Sequence, residues 1–203
     1  HRRLGEMAAA SRDLERAVAL AATDPAPRFR RGLLRRDLRD IEGALEDFDR
    51  AIGLDPEFAA AYVARGALYQ AAGRHGVAMR DFDRALAVAP RDGDALTHKA
   101  LSFCAEGAFG DCRAHAERAI AQAPDDWRPR VARGHALLGE GEPDRAVRAY
   151  GEAIDRAPDG EGHWLLARLQ KHLRPRLDER RGYSWKFLAA EDVDEVETLM
   201  DRD

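Results

Sequence analysis

The chain has 203 residues, of which 45% are apolar and 34% charged, enough to bury a core and to keep a solvated surface. A net charge of −4 supplies no basic field for nucleic acid, and no run approaches the roughly 18 apolar residues of a membrane helix. Two cysteines, Cys104 and Cys112, are too few for the disulfide framework of a secreted domain and point to a reducing, cytoplasmic setting.

In chain order, the first helix is predicted over about 4–22, where Leu14, Ala17 and Val18 share one face. It reads as the second half of a helical pair, so residues 1–24 form a partial N-terminal unit and the natural protein is expected to extend upstream of His1. Four helical pairs follow over 25–158, near 26–38 and 41–53, 59–72 and 75–88, 93–106 and 109–122, 127–139 and 143–156. Gly73, Gly107 and Gly141 mark the turn inside the second, third and fourth pairs. Residues 159–182 look like a partial fifth unit, with Trp164, Leu165, Leu166 and Leu169 on its first helix and Pro175 after it. The last segment, 183–203, is acidic; Val193, Val196, Leu199 and Met200 recur at helical steps, giving a capping helix or a tail through which the protein could associate with itself. No strand is expected.

The pairs are copies of one unit. Pro56, Pro90, Pro124 and Pro158 are 34 residues apart, and Ala51, Ala85, Ala119 and Ala153 keep the same step. Phe48, Phe82 and Tyr150 form an aromatic column interrupted by Ala116, and Gly32, Gly66 and Gly134 form a glycine column interrupted by Ala100. Ala44, Ala78, Cys112 and Ala146 form a further column of small residues. Small residues on both helices let the backbones approach closely while the aromatic supplies burial. A unit of this length with these columns resembles the tetratricopeptide repeat. The resemblance implies an all-α, right-handed α-solenoid acting as a scaffold that binds a protein or peptide partner, cytoplasmic and without catalysis. The alternative is a regulatory or sensory repeat segment of a larger protein whose catalytic domain lies elsewhere.

The polar constellations fit this reading. Arg31, Arg65, Lys99 and Arg133 form a basic column, and Asp47 and Asp81 an acidic one that lapses at His115 and Ala149. An Arg and an Asp recurring together suit an internal charge-assisted pair that fixes helix packing, the alternative being a phosphate-binding ladder. Cys104, Cys112, His98 and His115 match no zinc spacing, and Cys112 stands in an alanine column as a small buried hydrophobe. No catalytic set, metal site or cofactor is expected, and neither a nucleic-acid nor a membrane partner.

On each first helix, the positions three and two before the small residue and one after it lie on one lateral face. They are Phe29, Arg30 and Leu33; Val63, Ala64 and Ala67; Thr97, His98 and Leu101; Val131, Ala132 and His135. The resemblance implies that this face lines a concave groove. From it, with Arg128, come the candidate binding residues Phe29, Arg30, Leu33, Val63, Ala67, Thr97, His98, Leu101, Arg128, Val131 and His135. The family's clamp for chaperone C-termini uses lysines and asparagines on this face; the chain has no asparagine, and Phe29, Leu33, Ala64 and Asp94 stand there instead. A partly hydrophobic peptide or helix suits the face better.

Overall fold

The computed structural model describes residues 2–158. The expected partial fifth unit at 159–182 and the acidic segment 183–203 lie outside the described residues. Within them are nine helices and no strand: α1 (Arg2–Leu20), α2 (Pro25–Asp37), α3 (Ile41–Leu54), α4 (Ala59–Ala71), α5 (His75–Val88), α6 (Gly93–Ala105), α7 (Phe109–Gln122), α8 (Arg128–Gly139) and α9 (Pro143–Ile154). No helix among the described residues is long and apolar enough to cross a membrane.

Local chemistry explains the helix ends. Asp24, Asp40 and Asp92 cap α2, α3 and α6, each carboxylate accepting a hydrogen bond from an otherwise unpaired first-turn N–H, at Ala26, Gly43 and Ala95. Proline sits in the first turns of α2, α8 and α9, where a missing N–H costs nothing. The first helix of every pair ends in the same doubly hydrogen-bonded turn. In the second pair, Gly73 N–H donates to Gln70 O at 2.9 Å and Arg74 N–H to Tyr69 O at 2.8 Å. The residue at the turn needs a left-handed backbone, and Gly73, Gly107 and Gly141 have φ of 71°, 79° and 79°.

In the first pair the same turn is made by Arg39, at φ 65°. A side chain there costs about 1–2 kcal/mol, partly offset by glycine's greater unfolded-state entropy. Arg39→Gly is therefore expected to stabilise the protein by roughly 0.5–1 kcal/mol, read as a higher urea midpoint with an unchanged slope.

Within each pair the two helices run antiparallel: α2 against α3, α4 against α5, α6 against α7 and α8 against α9. Ala44, Ala78, Cys112 and Ala146 are almost wholly buried where these helices meet, as are Ala51, Ala85, Ala119 and Ala153. The glycine and aromatic columns prove to be one device. A Cβ built on Gly32 would lie 2.6 Å from Phe48 Cε1, and one on Gly66 would lie 2.6 Å from Phe82 Cε1; on Gly134 it would collide with the Tyr150 ring. The ring of the second helix rests on the bare backbone of the first. The two interruptions fall in the same pair, Ala100 with Ala116, because a first helix without a ring above it has room for a methyl group.

Pairs stack into an array. α4 packs on α6 and α6 on α8, with no comparable contact between successive second helices among the described residues. The first helices α4, α6 and α8 therefore line one side of the array.

Candidate functional site

The basic column is consumed by packing. Arg31 grips Asp47 through Nε and Nη2 at 2.8 and 2.6 Å, and Arg65 grips Asp81 in the same way at 2.9 and 2.6 Å. Both carboxylates are buried, Asp47 to 1% exposure, so each pair needs this two-pronged geometry to offset desolvation. These hydrogen bonds raise the Arg31 and Arg65 pKa values further, against the opposing effect of burial. Arg65 also reaches back to Asp49 of the preceding pair at 2.6 Å, and Lys99 reaches Asp83 at 2.5 Å, tying one unit to the next. Arg133 pairs with Glu152 at 2.5 Å. With each cation already answered by a carboxylate, the column builds a clasp and not a phosphate ladder.

The candidate groove residues separate by exposure. Arg30, Arg128 and His135 are exposed; Phe29, Leu33, Val63, Ala67, His98 and Leu101 are half-buried. Thr97 and Val131 are buried, to 2% and 9% exposure, and so do not reach the surface. Val131 joins the core of its own pair, with Leu137, Ala146 and Tyr150. Thr97 Oγ1 turns inward to donate to Gly93 O at 2.7 Å. Phe29 is a packing residue too, its ring 5.8 Å from Phe48 and 4.9 Å from Phe58. Arg128 is held at its helix start by Asp126 and by Asp94 of the preceding unit, at 2.7 and 2.6 Å. Both are surface pairs, each contributing at most about 1 kcal/mol.

His98 lies at the joint between the second and third pairs. Its ring stacks on Phe82 with centroids 5.4 Å apart, and its Nδ1 is 2.7 Å from Gln70 Oε1. Gln70 Nε2 in turn donates to His98 O at 2.7 Å and Ser102 Oγ at 2.9 Å, stitching α4 to α6. Gln70 and Ser102 escaped sequence reasoning because nothing periodic marks them; the Gln70 column holds Arg36, Cys104 and Leu138. Burial lowers the pKa of His98, with Asp94 opposing, and lowers that of His115, with its hydrogen bond to Asp111 O opposing.

A base whose folded pKa lies below its unfolded value binds fewer protons when folded. Stability is then complete above the unfolded histidine pKa of about 6.5 and is lost as pH falls through it. The urea midpoint is expected to drop between about pH 7.5 and 5.5, and His98→Gln with His115→Gln should flatten that dependence.

The cysteines depart from expectation. Cys104 on α6 and Cys112 on α7 form a disulfide, so neither is a free thiol, and Cys112 is more than a small filler of an alanine column. No group of three or more His, Cys, Asp or Glu side chains that could hold a metal occurs among the described residues.

Comparison with known families agrees with this geometry. The sequence model described as "Tetratricopeptide repeat" matches residues 29–81 and 131–179, together half of the chain. The chain belongs to the tetratricopeptide-repeat family. No curated protein sequence matches significantly. Among solved structures, the tetratricopeptide chain is similar to PilW, a type IV pilus biogenesis factor, at 20% identity and TM-score 0.73 over 96% of this chain and 92% of that one. It is similar to a tetratricopeptide repeat protein of Parabacteroides merdae at 21% identity and TM-score 0.69, over 95% and 78%. A third, YrrB, described as a tetratricopeptide protein with an unusual peptide-binding site, aligns at 21% identity and TM-score 0.61, over 80% and 84%. At these identities the likeness shows the fold, a tetratricopeptide superhelix.

Proposed function

We propose that this tetratricopeptide array is a non-catalytic scaffold that holds an extended peptide or an amphipathic helix of a protein partner along its inner face. The observation that carries this reading is the set of side chains the first helices present along one side of the array. Arg30, Leu33, Val63, Ala67, His98, Leu101, Arg128 and His135 come from all four pairs, and all keep exposure that packing has not removed. Aliphatic positions alternate there with cations and imidazoles, which suits a ligand carrying apolar anchors and some acidic character. The peptide-binding site of YrrB, a protein of the same fold, supports the same kind of use.

The test selects peptides from a random phage-displayed library on the whole protein. Arg30→Glu with His135→Glu is expected to weaken the selected peptides at least about tenfold, equivalent to about 1.4 kcal/mol. Arg84→Glu with Arg118→Glu, exposed on the second helices, should leave affinity within a factor of about two. Loss confined to the second-helix variant would overturn the proposal.

A further inference from the structure

We infer that the Cys104–Cys112 disulfide is the clasp of the third repeat, standing in for the devices that close the others, and that it makes this repeat the redox-sensitive joint of the array. The first two repeats are each closed by a two-pronged Arg–Asp pair and by a ring lying on a glycine. The fourth has Tyr150 on Gly134 and the Arg133–Glu152 pair. The third has none of these: Lys99 replaces the arginine and turns away to Asp83 of the preceding repeat, His115 replaces the aspartate, and Ala100 and Ala116 replace the glycine and the ring. The chain's only two cysteines face each other in that same repeat, one on each helix, with Cα atoms 5.2 Å apart, well inside the span a disulfide needs. The bond closes the α6–α7 pair across the Gly107 turn.

Both sulfurs also lie against Ala132 O of α8, at 3.6 Å from Cys104 and 3.4 Å from Cys112, so the clasp sits where the third repeat meets the fourth. In a linear array, each repeat is held only by its own closure and by its two neighbours, so opening an internal clasp loosens the array at that point.

Accessibility sets the order of exchange. Cys112 is fully buried and Cys104 half-buried, so Cys104 is the sulfur that a small disulfide such as oxidised glutathione can reach. The Cys104 thiolate attacks one glutathione sulfur, breaking the glutathione S–S bond and releasing one glutathione thiolate. The Cys112 thiolate then attacks Cys104 Sγ, breaking the mixed disulfide and releasing the second. Two electrons pass from the cysteine pair to the glutathione disulfide, and the two thiol protons end on the two glutathiones. The closed form belongs to an oxidising setting, which runs against the reducing compartment expected from cysteine number alone.

The experiment equilibrates the full chain with oxidised or reduced glutathione and follows maleimide uptake, hydrogen exchange and the thermal midpoint. Oxidation should remove both reactive thiols. Reduction should restore them, lower the midpoint by roughly 5 °C and speed exchange within 93–122 at least about tenfold more than in the flanking repeats. In a Cys104→Ser/Cys112→Ala background, Lys99→Arg with His115→Asp should rebuild the clasp of the first two repeats and recover the midpoint regardless of redox state. Thiols that stay reactive after oxidation, or exchange within 93–122 that reduction leaves no faster than its surroundings, would overturn the inference.

Discussion

Gly66→Leu is expected to abolish the second repeat, with a loss of at least about 3 kcal/mol and a broadened urea transition. A single Cβ at this position would stand 2.6 Å from Phe82 Cε1 and 3.1 Å from Asp81 Cβ, and Phe82 is fully buried with no room to retreat. Three further carbons must then separate α4 from α5, which also breaks the Arg65–Asp81 clasp beside them. The helix propensity gained on replacing glycine, about 1 kcal/mol, cannot offset this. The comparison is Ala100→Gly in the third repeat, where no ring bears on the position; it should cost about 2 kcal/mol, the propensity difference plus the loss of a buried methyl group. Equal effects at the two sites would show that ring contact is not what selects glycine.

Asp47→Ala carries the second large effect. Its carboxylate accepts two hydrogen bonds from Arg31 and faces Arg35 Nη1 at 2.9 Å, and it is nearly inaccessible to water. Removing it leaves Arg31 without its carboxylate and Arg35 with only the more exposed Asp40, 3.7 Å away, at a cost of about 3 kcal/mol, the low end for breaking a buried pair because both arginines keep some exposure. Replacing both partners, as in Arg31→Met with Asp47→Leu, should recover much of the loss, since the penalty lies in the stranded charge more than in the missing attraction. Chemical denaturation of the two single variants and the double variant measures the coupling directly; purely additive losses would contradict the clasp.

Repetition made the fold legible. Each pair had to keep the same small residues, rings, glycines and prolines to pack against its copies, so helix boundaries followed from the columns to within about two residues. α8 begins at Arg128 where 127 was expected, and α2 at Pro25 where 26 was expected. The columns were visible one by one, but their coupling was not: that Ala100 and Ala116 are two halves of one exchange emerges only when the ring is seen lying on the glycine. On the lateral face a helical wheel gives the direction of each side chain but not how far packing closes over it. Thr97 and Val131 are buried there, the first with its hydroxyl turned back to Gly93 O and the second in the core of its own pair. Gln70, Ser102 and the disulfide act between elements at positions used once in the chain, so no column announces them.

The most direct test of the central claim, that the first helices form the binding surface, is the hydrogen-exchange footprint of a library-selected peptide on the whole protein. Slowed exchange in α2, α4, α6 and α8, with α5, α7 and α9 little changed, is the predicted result. Protection centred on α5, α7 and α9 would contradict it.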